Sequence, residues 1–138
     1  MIRVIYGKKG SGKTKKIIDA ANAAVKTSKG NLVFIDDDNR YMYDVDRDIR
    51  FVNATEYDVS SPEIFMGFIS GIMAGNYDME ELFIDGFLRL VKSDIAELEG
   101  FFAKLDELTA RNGVNVFLSI GADAEEAPEY LKKYIVEI

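Results

Sequence analysis

The chain has 138 residues, of which 48% are apolar, so it can bury the core of one ordinary domain. It contains no cysteine and no histidine, which excludes disulfides, Cys or His metal sites and nucleophiles that need a histidine base. The net charge of −7 disfavours general nucleic-acid binding.

The basic residues are concentrated near the N-terminus. Residues 1–30 hold eight basic side chains and one acid, whereas the rest of the chain holds nine basic and 23 acidic residues. A positive segment within an acidic protein suits a small anion such as a phosphate. A solvated, lysine-rich helix face would have the same composition.

Predicted strands and helices alternate along the chain. Short apolar runs predict strands, and segments with helical spacing of apolar residues predict helices. The predicted strands are Ile2–Tyr6, Leu32–Ile35, Ile49–Val52, Leu82–Asp85, Val114–Leu118 and Tyr134–Ile138. The predicted helices span about Lys13–Thr27, Pro62–Gly75, Ser93–Arg111 and Ala124–Lys133.

The strand pattern predicts the fold class. The strands are continuous apolar runs, which is typical of a parallel sheet that is covered on both faces. We therefore expect an α/β protein, a three-layer α/β/α sandwich with a mainly parallel sheet, in a single domain over residues 1–138. Gly67, Gly71 and Gly75 share one face of a predicted helix, which favours close approach of that helix to a neighbouring element.

The sequence also carries expectations about location. No secretory signal is recognisable. The most apolar segment, residues 64–75, is shorter than the roughly 18 residues that a membrane span needs. We therefore expect a cytoplasmic protein without a membrane span.

Residues 7–14 match the pattern G-x-x-x-x-G-K-[ST] between a predicted strand and a predicted helix. The glycines let successive backbone amides turn inward around a phosphate, and the helix N-terminus adds a partial positive charge. We expect Lys13 to reach the β- and γ-phosphates and the Thr14 hydroxyl to bind Mg²⁺. The predicted nucleotide-binding residues are Gly7, Lys8, Lys9, Gly10, Ser11, Gly12, Lys13 and Thr14.

The second half of such a site is an acidic residue at the end of another apolar strand. Asp85 follows the run Leu82-Phe83-Ile84 and fits this position. We expect it to hold Mg²⁺ opposite Thr14. An ordinary helix N-cap after the strand is the alternative role.

Together these two motifs resemble those of the P-loop NTPases, and within that superfamily the chain looks most like the compact RecA-like ATPases. The resemblance implies a P-loop NTPase fold in which Lys13 and Asp85 serve catalysis. It also implies a polar sensor near the γ-phosphate at the end of the following strand, where Ser119 stands; a strand-end serine without that role is the alternative. The loop alone is also similar to that of pilus-retraction (twitching-motility) ATPases. The chain has no histidine for their histidine motif and no counterpart of their additional N-terminal domain.

One position departs from the pattern of these ATPases. Many of them have a glutamate directly after the Mg²⁺-binding aspartate, where it polarises the attacking water, whereas this chain has Gly86. A replacement carboxylate could come from a neighbouring strand end, as Asp36, Asp37 or Asp38. Glu81 lies at the opposite end of its own strand and should be remote. We therefore expect slow hydrolysis, or binding alone.

The leading hypothesis is a Mg²⁺-dependent ATP-binding protein with weak ATPase activity. The guanine-reading motif Asn-Lys-x-Asp is absent, which favours ATP and ADP as ligands. One alternative is a small-molecule or nucleoside kinase, for which Arg40, Arg47 and Arg50 are candidate phosphate contacts. Another is a nucleotide-dependent interaction module without turnover. A protein partner and a homo-oligomer are left open. Tyr41, Met42 and Tyr43 are candidates for stacking on a base or a partner, with core or surface packing as the alternative.

Overall fold

A computed structural model describes residues 1–122 and 127–137 of the chain. It confirms the α/β class, since all four strand pairings in its five-stranded sheet are parallel. The strands are β1 (Ile2–Gly7), β2 (Asn31–Asp36), β3 (Arg50–Asn53), β4 (Met79–Ile84) and β5 (Asn115–Gly121). The α-helices are α1 (Lys13–Val25), α2 (Pro62–Ala74), α3 (Phe87–Val91) and α4 (Glu99–Asn112). Short 3₁₀ helices are formed by Ala54–Tyr57, Ile95–Glu97 and Glu129–Tyr134.

The strand order in the sheet is β1-β5-β4-β2-β3. The strand that precedes the glycine-rich segment, β1, is therefore not adjacent to β4, which precedes Asp85. The strand β5 lies between them and pairs with both. Because all strands are parallel, their carboxyl ends meet at one edge of the sheet, where ligands of such folds bind.

Both faces of the sheet are covered, as the continuous apolar strands predicted. On one face α1 and the segment after β2 enclose a core that includes Ile17, Phe34 and Phe117. On the other face α2, α3 and α4 enclose a larger core, which includes Phe65 and Phe102. Every second strand residue enters one core and its neighbour enters the other. The arrangement is consistent with the expected three-layer sandwich.

The region after β4 differs from the prediction. Where one helix is expected over Ser93–Arg111, the structure has a 3₁₀ turn and then α4, which begins at Glu99; the short helix α3, which the sequence did not predict, precedes this segment. Lys92 ends α3 in the left-handed conformation, with φ at 52°. The Asp94 side chain then accepts a hydrogen bond from the backbone N–H of Ala96 and caps the 3₁₀ turn. A side-chain cap of this kind competes with continuous helix.

The C-terminal segment also differs from the prediction. The helix expected over Ala124–Lys133 is a 3₁₀ helix from Glu129 to Tyr134, and residues 124–126 lie outside the described part. The strand expected over Tyr134–Ile138 is reduced, over its described residues, to one parallel bridge between Val4 and Ile135. This segment nevertheless lies beside β1, which is the edge strand on that side of the sheet.

Helix α2 begins as predicted, because the Ser61 side chain accepts a hydrogen bond from the Ile64 N–H and Pro62 takes the first turn. Among the described helices, none is long and apolar enough to cross a membrane.

The close approach expected at the glycines of α2 is wrong. A methyl group built at Gly67 or Gly71 would meet no atom within 4 Å, since this face is turned away from the sheet.

We therefore expect Gly67→Ala to stabilise the protein by about 0.5–1 kcal/mol, because alanine restricts the unfolded chain and strains nothing in the helix. Gly30→Ala is the contrasting variant, since its Cβ would lie 2.2 Å from the Asp78 carbonyl oxygen. That variant should lose more than about 1 kcal/mol. Urea unfolding of both variants measures the difference, and a destabilised Gly67→Ala would contradict the open space at this face.

Candidate functional site

The glycine-rich loop, residues 7–14, joins the end of β1 to the start of α1. Gly10 and Gly12 have φ values of 78° and 83°, in the left-handed region that favours glycine. Gly12 is also the N-cap of α1, and no side chain caps the helix there. The amides of the first turn therefore have no side-chain partner at the N-cap and point toward the loop interior.

The Lys13 side chain folds back across this loop. Its Nζ donates hydrogen bonds to the Lys8 carbonyl and to Ser11 Oγ, the latter at 3.1 Å. Burial lowers the pKa of Lys13, the Asp85 carboxylate opposes this shift, and Arg89 adds to it. The ammonium group thus lies within the electrostatic field of both the carboxylate and the guanidinium.

Asp85 directly follows β4 and is almost fully buried. Thr14 Oγ1 donates a hydrogen bond to Asp85 Oδ2 at 2.9 Å, and Ser119 Oγ donates one to Asp85 Oδ1. Two hydroxyl groups, one from α1 and one from β5, therefore meet at the carboxylate that follows β4. The alternative role of Asp85, an ordinary helix N-cap, is not what this geometry shows, because Gly86 is the N-cap of α3 and both oxygens accept hydrogen bonds from other side chains.

The strand order explains this convergence. Ser119 pairs with Ile5 of β1, and Leu118 pairs with Ile84 of β4, so the end of β5 stands between the loop and Asp85. The backbone N–H of Asp85 donates to the Ile35 carbonyl at 2.9 Å, which holds Asp85 against the end of β2. Asp36, the last residue of β2, is thereby brought to the same edge.

Gly86 adopts φ 69° and cannot be replaced by a larger residue without strain. A Cβ at this position would lie 2.8 Å from Asp37 Oδ1 and 2.9 Å from Arg89 Nη2. These two side chains form an ion pair, in which Arg89 Nε donates to Asp37 Oδ2 at 2.6 Å and Arg89 Nη2 donates to Asp37 Oδ1 at 3.2 Å. The space beside Asp85 where a glutamate would project is therefore filled by a carboxylate from β2.

The neighbouring Asp36 is buried and forms no ion pair with any residue that the structure describes. Its Oδ1 accepts the Asp37 backbone N–H at 2.7 Å, whereas its Oδ2 has no hydrogen-bond partner among the described residues. Burial is the main cause that raises the pKa of Asp36 to about 8, and the carboxylates of Asp37 and Asp85 add to the shift. The structure therefore favours a neutral, protonated Asp36.

The three consecutive carboxylates of residues 36–38 have oxygens within 4.8 Å of one another. Asp37 is paired with Arg89, and Asp38 lies 3.6 Å from the Arg40 guanidinium. Two of the three charges are thus already neutralised by the protein, so the geometry does not favour a metal ion at this cluster.

A cavity of about 1070 Å³ lies over these groups. This volume is at the upper end of the usual range for small-molecule sites. The cavity continues from the loop along α1 to the segment between β2 and β3. The lining residues with functional groups or loop backbone include Lys9, Gly10, Gly12, Lys13, Thr14, Asp85, Ser119, Arg89, Asn22, Tyr41 and Asp44.

Most sequence-predicted site residues line this cavity, and Arg89, Asn22 and Asp44 line it without having been given a site role. The lining includes Lys9, but Lys8 contributes its carbonyl to the loop interior instead. Arg89 was not singled out, although an arginine one helical turn after a strand-end aspartate was a usable signal. Tyr41 lines the cavity and also packs against the α1-side core.

Two further expectations can be placed. Glu81 is remote as predicted, since it pairs with Arg3 near the opposite end of the strands. Arg40 pairs with Asp38, and neither it nor Arg47 or Arg50 is among the described residues that line the cavity.

No protein-family model matches this chain, and no curated protein sequence matches it significantly.

Proposed function

We propose that the protein binds Mg²⁺ together with ATP and hydrolyses it slowly. The observation that carries this proposal is the contact between Thr14 and Asp85, at 2.9 Å. It joins a hydroxyl from the loop to a carboxylate from a distant strand, beside Lys13 and inside a cavity of nucleotide size. This combination supports a P-loop NTPase type of site.

Each group has a defined role in this proposal. The loop amides and Lys13 hold the β- and γ-phosphates. Thr14 Oγ1 and Asp85 Oδ2 are hard oxygen donors, which fit Mg²⁺. When bound, the metal neutralises charge on the phosphates. Ser119 donates a hydrogen bond to Asp85 Oδ1 and so fixes the orientation of this carboxylate. It does so from the side of the cavity where the γ-phosphate is proposed to bind.

Slow turnover follows from Gly86. The loop, Lys13 and the metal ligands stabilise charge, but an attacking water also needs an acceptor for its proton. No glutamate follows Asp85, and the nearest substitute, Asp37, is paired with Arg89 and would have to be released before it could accept a proton. If no phosphate is released above background, the protein is better described as a nucleotide-dependent interaction module.

A second candidate function is phosphoryl transfer to a small molecule. The extension of the cavity past Arg89 to Tyr41 and Asp44 favours it, because a nucleotide alone need not fill this end. Phosphate release from ATP, with and without candidate acceptors, separates a kinase from a hydrolase.

The absence of a guanine-reading motif still favours ATP over GTP.

The proposal is tested by Thr14→Val and Asp85→Asn, which keep the side-chain shapes and remove one Mg²⁺ ligand each. Calorimetric titration with ATP is done with and without Mg²⁺. The increase in ATP affinity that Mg²⁺ causes should be about tenfold or more smaller in each variant than in the wild type, the size expected for one charge-assisted contact. Affinity in EDTA should stay nearly unchanged. Thr27→Val, at the opposite end of α1, is the matched control. Equal losses with and without metal would refute the metal-binding role.

A further inference from the structure

The Asp37–Arg89 pair lies directly beside the proposed catalytic centre. Arg89 lines the same cavity as Lys13, and its guanidinium lies over Gly86, one residue after Asp85. The Arg89 side chain is 57% exposed and the Asp37 side chain is 17% exposed. The arginine can therefore move into the cavity without disturbing the core, while the carboxylate is held at the end of β2.

The partners of Arg89 make such a movement favourable. A partly exposed arginine–carboxylate pair contributes little to stability, because water screens it. A terminal phosphate carries more charge and offers three oxygens, and guanidinium groups bind phosphate through two parallel hydrogen bonds. Phosphate bound at Lys13 would share one cavity with the Arg89 guanidinium, since both side chains line it.

The freed carboxylate would be suited to proton transfer. Burial on its own raises the pKa of Asp37, and it is chiefly the hydrogen bonds and the positive charge of Arg89 that lower it overall. Removing the guanidinium therefore makes Asp37 more basic. Its Oδ1 already occupies the space beside Gly86 into which a water-polarising glutamate would project.

We propose that Arg89 leaves Asp37 when a nucleotide binds, contacts the terminal phosphate, and thereby frees the Asp37 carboxylate to accept a proton from the attacking water. This inference rests on the proposed function. In the step, the water oxygen bonds to the γ-phosphorus and the bond from that phosphorus to the bridging oxygen breaks. The proton of the water goes to Asp37, and the electron pair of the broken bond stays on ADP.

The first test compares ATP and ADP affinities in Mg²⁺. Arg89→Ala should weaken ATP binding by about tenfold or more and leave ADP binding within about twofold, because ADP lacks the phosphate that Arg89 contacts. Arg3→Ala is the matched control, since it removes another arginine–carboxylate pair near the opposite end of the strands. Equal losses for ATP and ADP, or no loss, would overturn the assignment.

The second test uses a consequence that a merely structural ion pair would not have. Asp37→Asn should tighten ATP binding, because Arg89 no longer has to leave a partner, and it should slow hydrolysis by about 100-fold or more. The gain in affinity should vanish when Arg89→Ala is added. Weaker ATP binding by Asp37→Asn, or wild type without phosphate release above background, would overturn the role given to Asp37.

The phosphate could also come from a second ligand, and the same variants distinguish this source. Inorganic phosphate added to the Mg²⁺–ADP complex is the probe. If Arg89→Ala abolishes phosphate binding to that complex while ATP and ADP affinities stay unchanged, Arg89 serves a separate phosphate and the exchange with the nucleotide is refuted. Failure of the proposed function itself would be visible separately, as Thr14→Val and Asp85→Asn without a Mg²⁺-specific effect.

Discussion

Lys13→Ala is expected to reduce ATP affinity by about 100-fold or more, because the variant removes the only loop side chain that reaches from α1 across the loop interior to the phosphate position. The fold should be unaffected. The partners of the ammonium group are the Lys8 carbonyl and Ser11 Oγ, both within the exposed loop. The free energy of unfolding should change by less than about 1 kcal/mol.

Calorimetric titration and thermal unfolding check this expectation together. Lys16→Ala is the matched control, since Lys16 is an exposed lysine of the same helix that is not among the described residues lining the cavity. It should bind ATP as the wild type does. A Lys13→Ala variant that binds ATP as tightly as the wild type would show that the loop is not a phosphate site.

Asp36→Asn is expected to change how stability depends on pH. The pKa of Asp36 is about 8 in the fold, against an ordinary value of 3.8. Between these values the folded protein binds a proton that the unfolded chain has released, so the free energy of unfolding falls as pH rises from about 4 to about 8. The variant does not titrate and should lose this slope. Relative to their difference near pH 4, the free energy of unfolding of the variant should therefore gain on that of the wild type by the order of several kcal/mol at about pH 8.

Chemical unfolding at a series of pH values, without nucleotide or Mg²⁺, measures this difference. Asp38→Asn is the matched control, because it removes the charge of an adjacent but partly exposed carboxylate. Its difference from the wild type should vary little with pH. If Asp36→Asn and the wild type show parallel pH profiles, Asp36 is ionised in the folded protein and must have a counter-charge or water that satisfies it.

The sequence by itself determined the features that are encoded within a few residues. Apolar runs predicted the five strands, since a strand covered on both faces needs apolar side chains at nearly every position. The glycines and lysine of residues 7–14 predicted a tight loop at a helix start, because left-handed backbone at Gly10 and Gly12 requires glycine. Asp85 and Ser119 were expected at strand ends on the same grounds.

Only the tertiary structure decided which of these strand ends meet. Nothing local to β5 indicates that it inserts between β1 and β4, and this insertion is what places Ser119 against Asp85. The Asp37–Arg89 pair joins residues 52 positions apart. Such pairings depend on the order of the strands and on how the helices that connect them pack. Both are set by the burial of the whole core, so the sequence around either residue carries no pattern that reveals the pairing.

The same reason explains the errors. Helical propensity over Ser93–Arg111 was real, but the local cap at Asp94 forms a 3₁₀ turn in the first part of the segment, and α4 begins only at Glu99. The four-residue spacing of the glycines in α2 suggested close packing against another element, but no element lies against that face, since α2 turns it outward. The burial that raises the pKa of Asp36 depends on every layer around it. Local chemistry could therefore be predicted from the sequence, whereas the environment of each group was set by the elements packed against it.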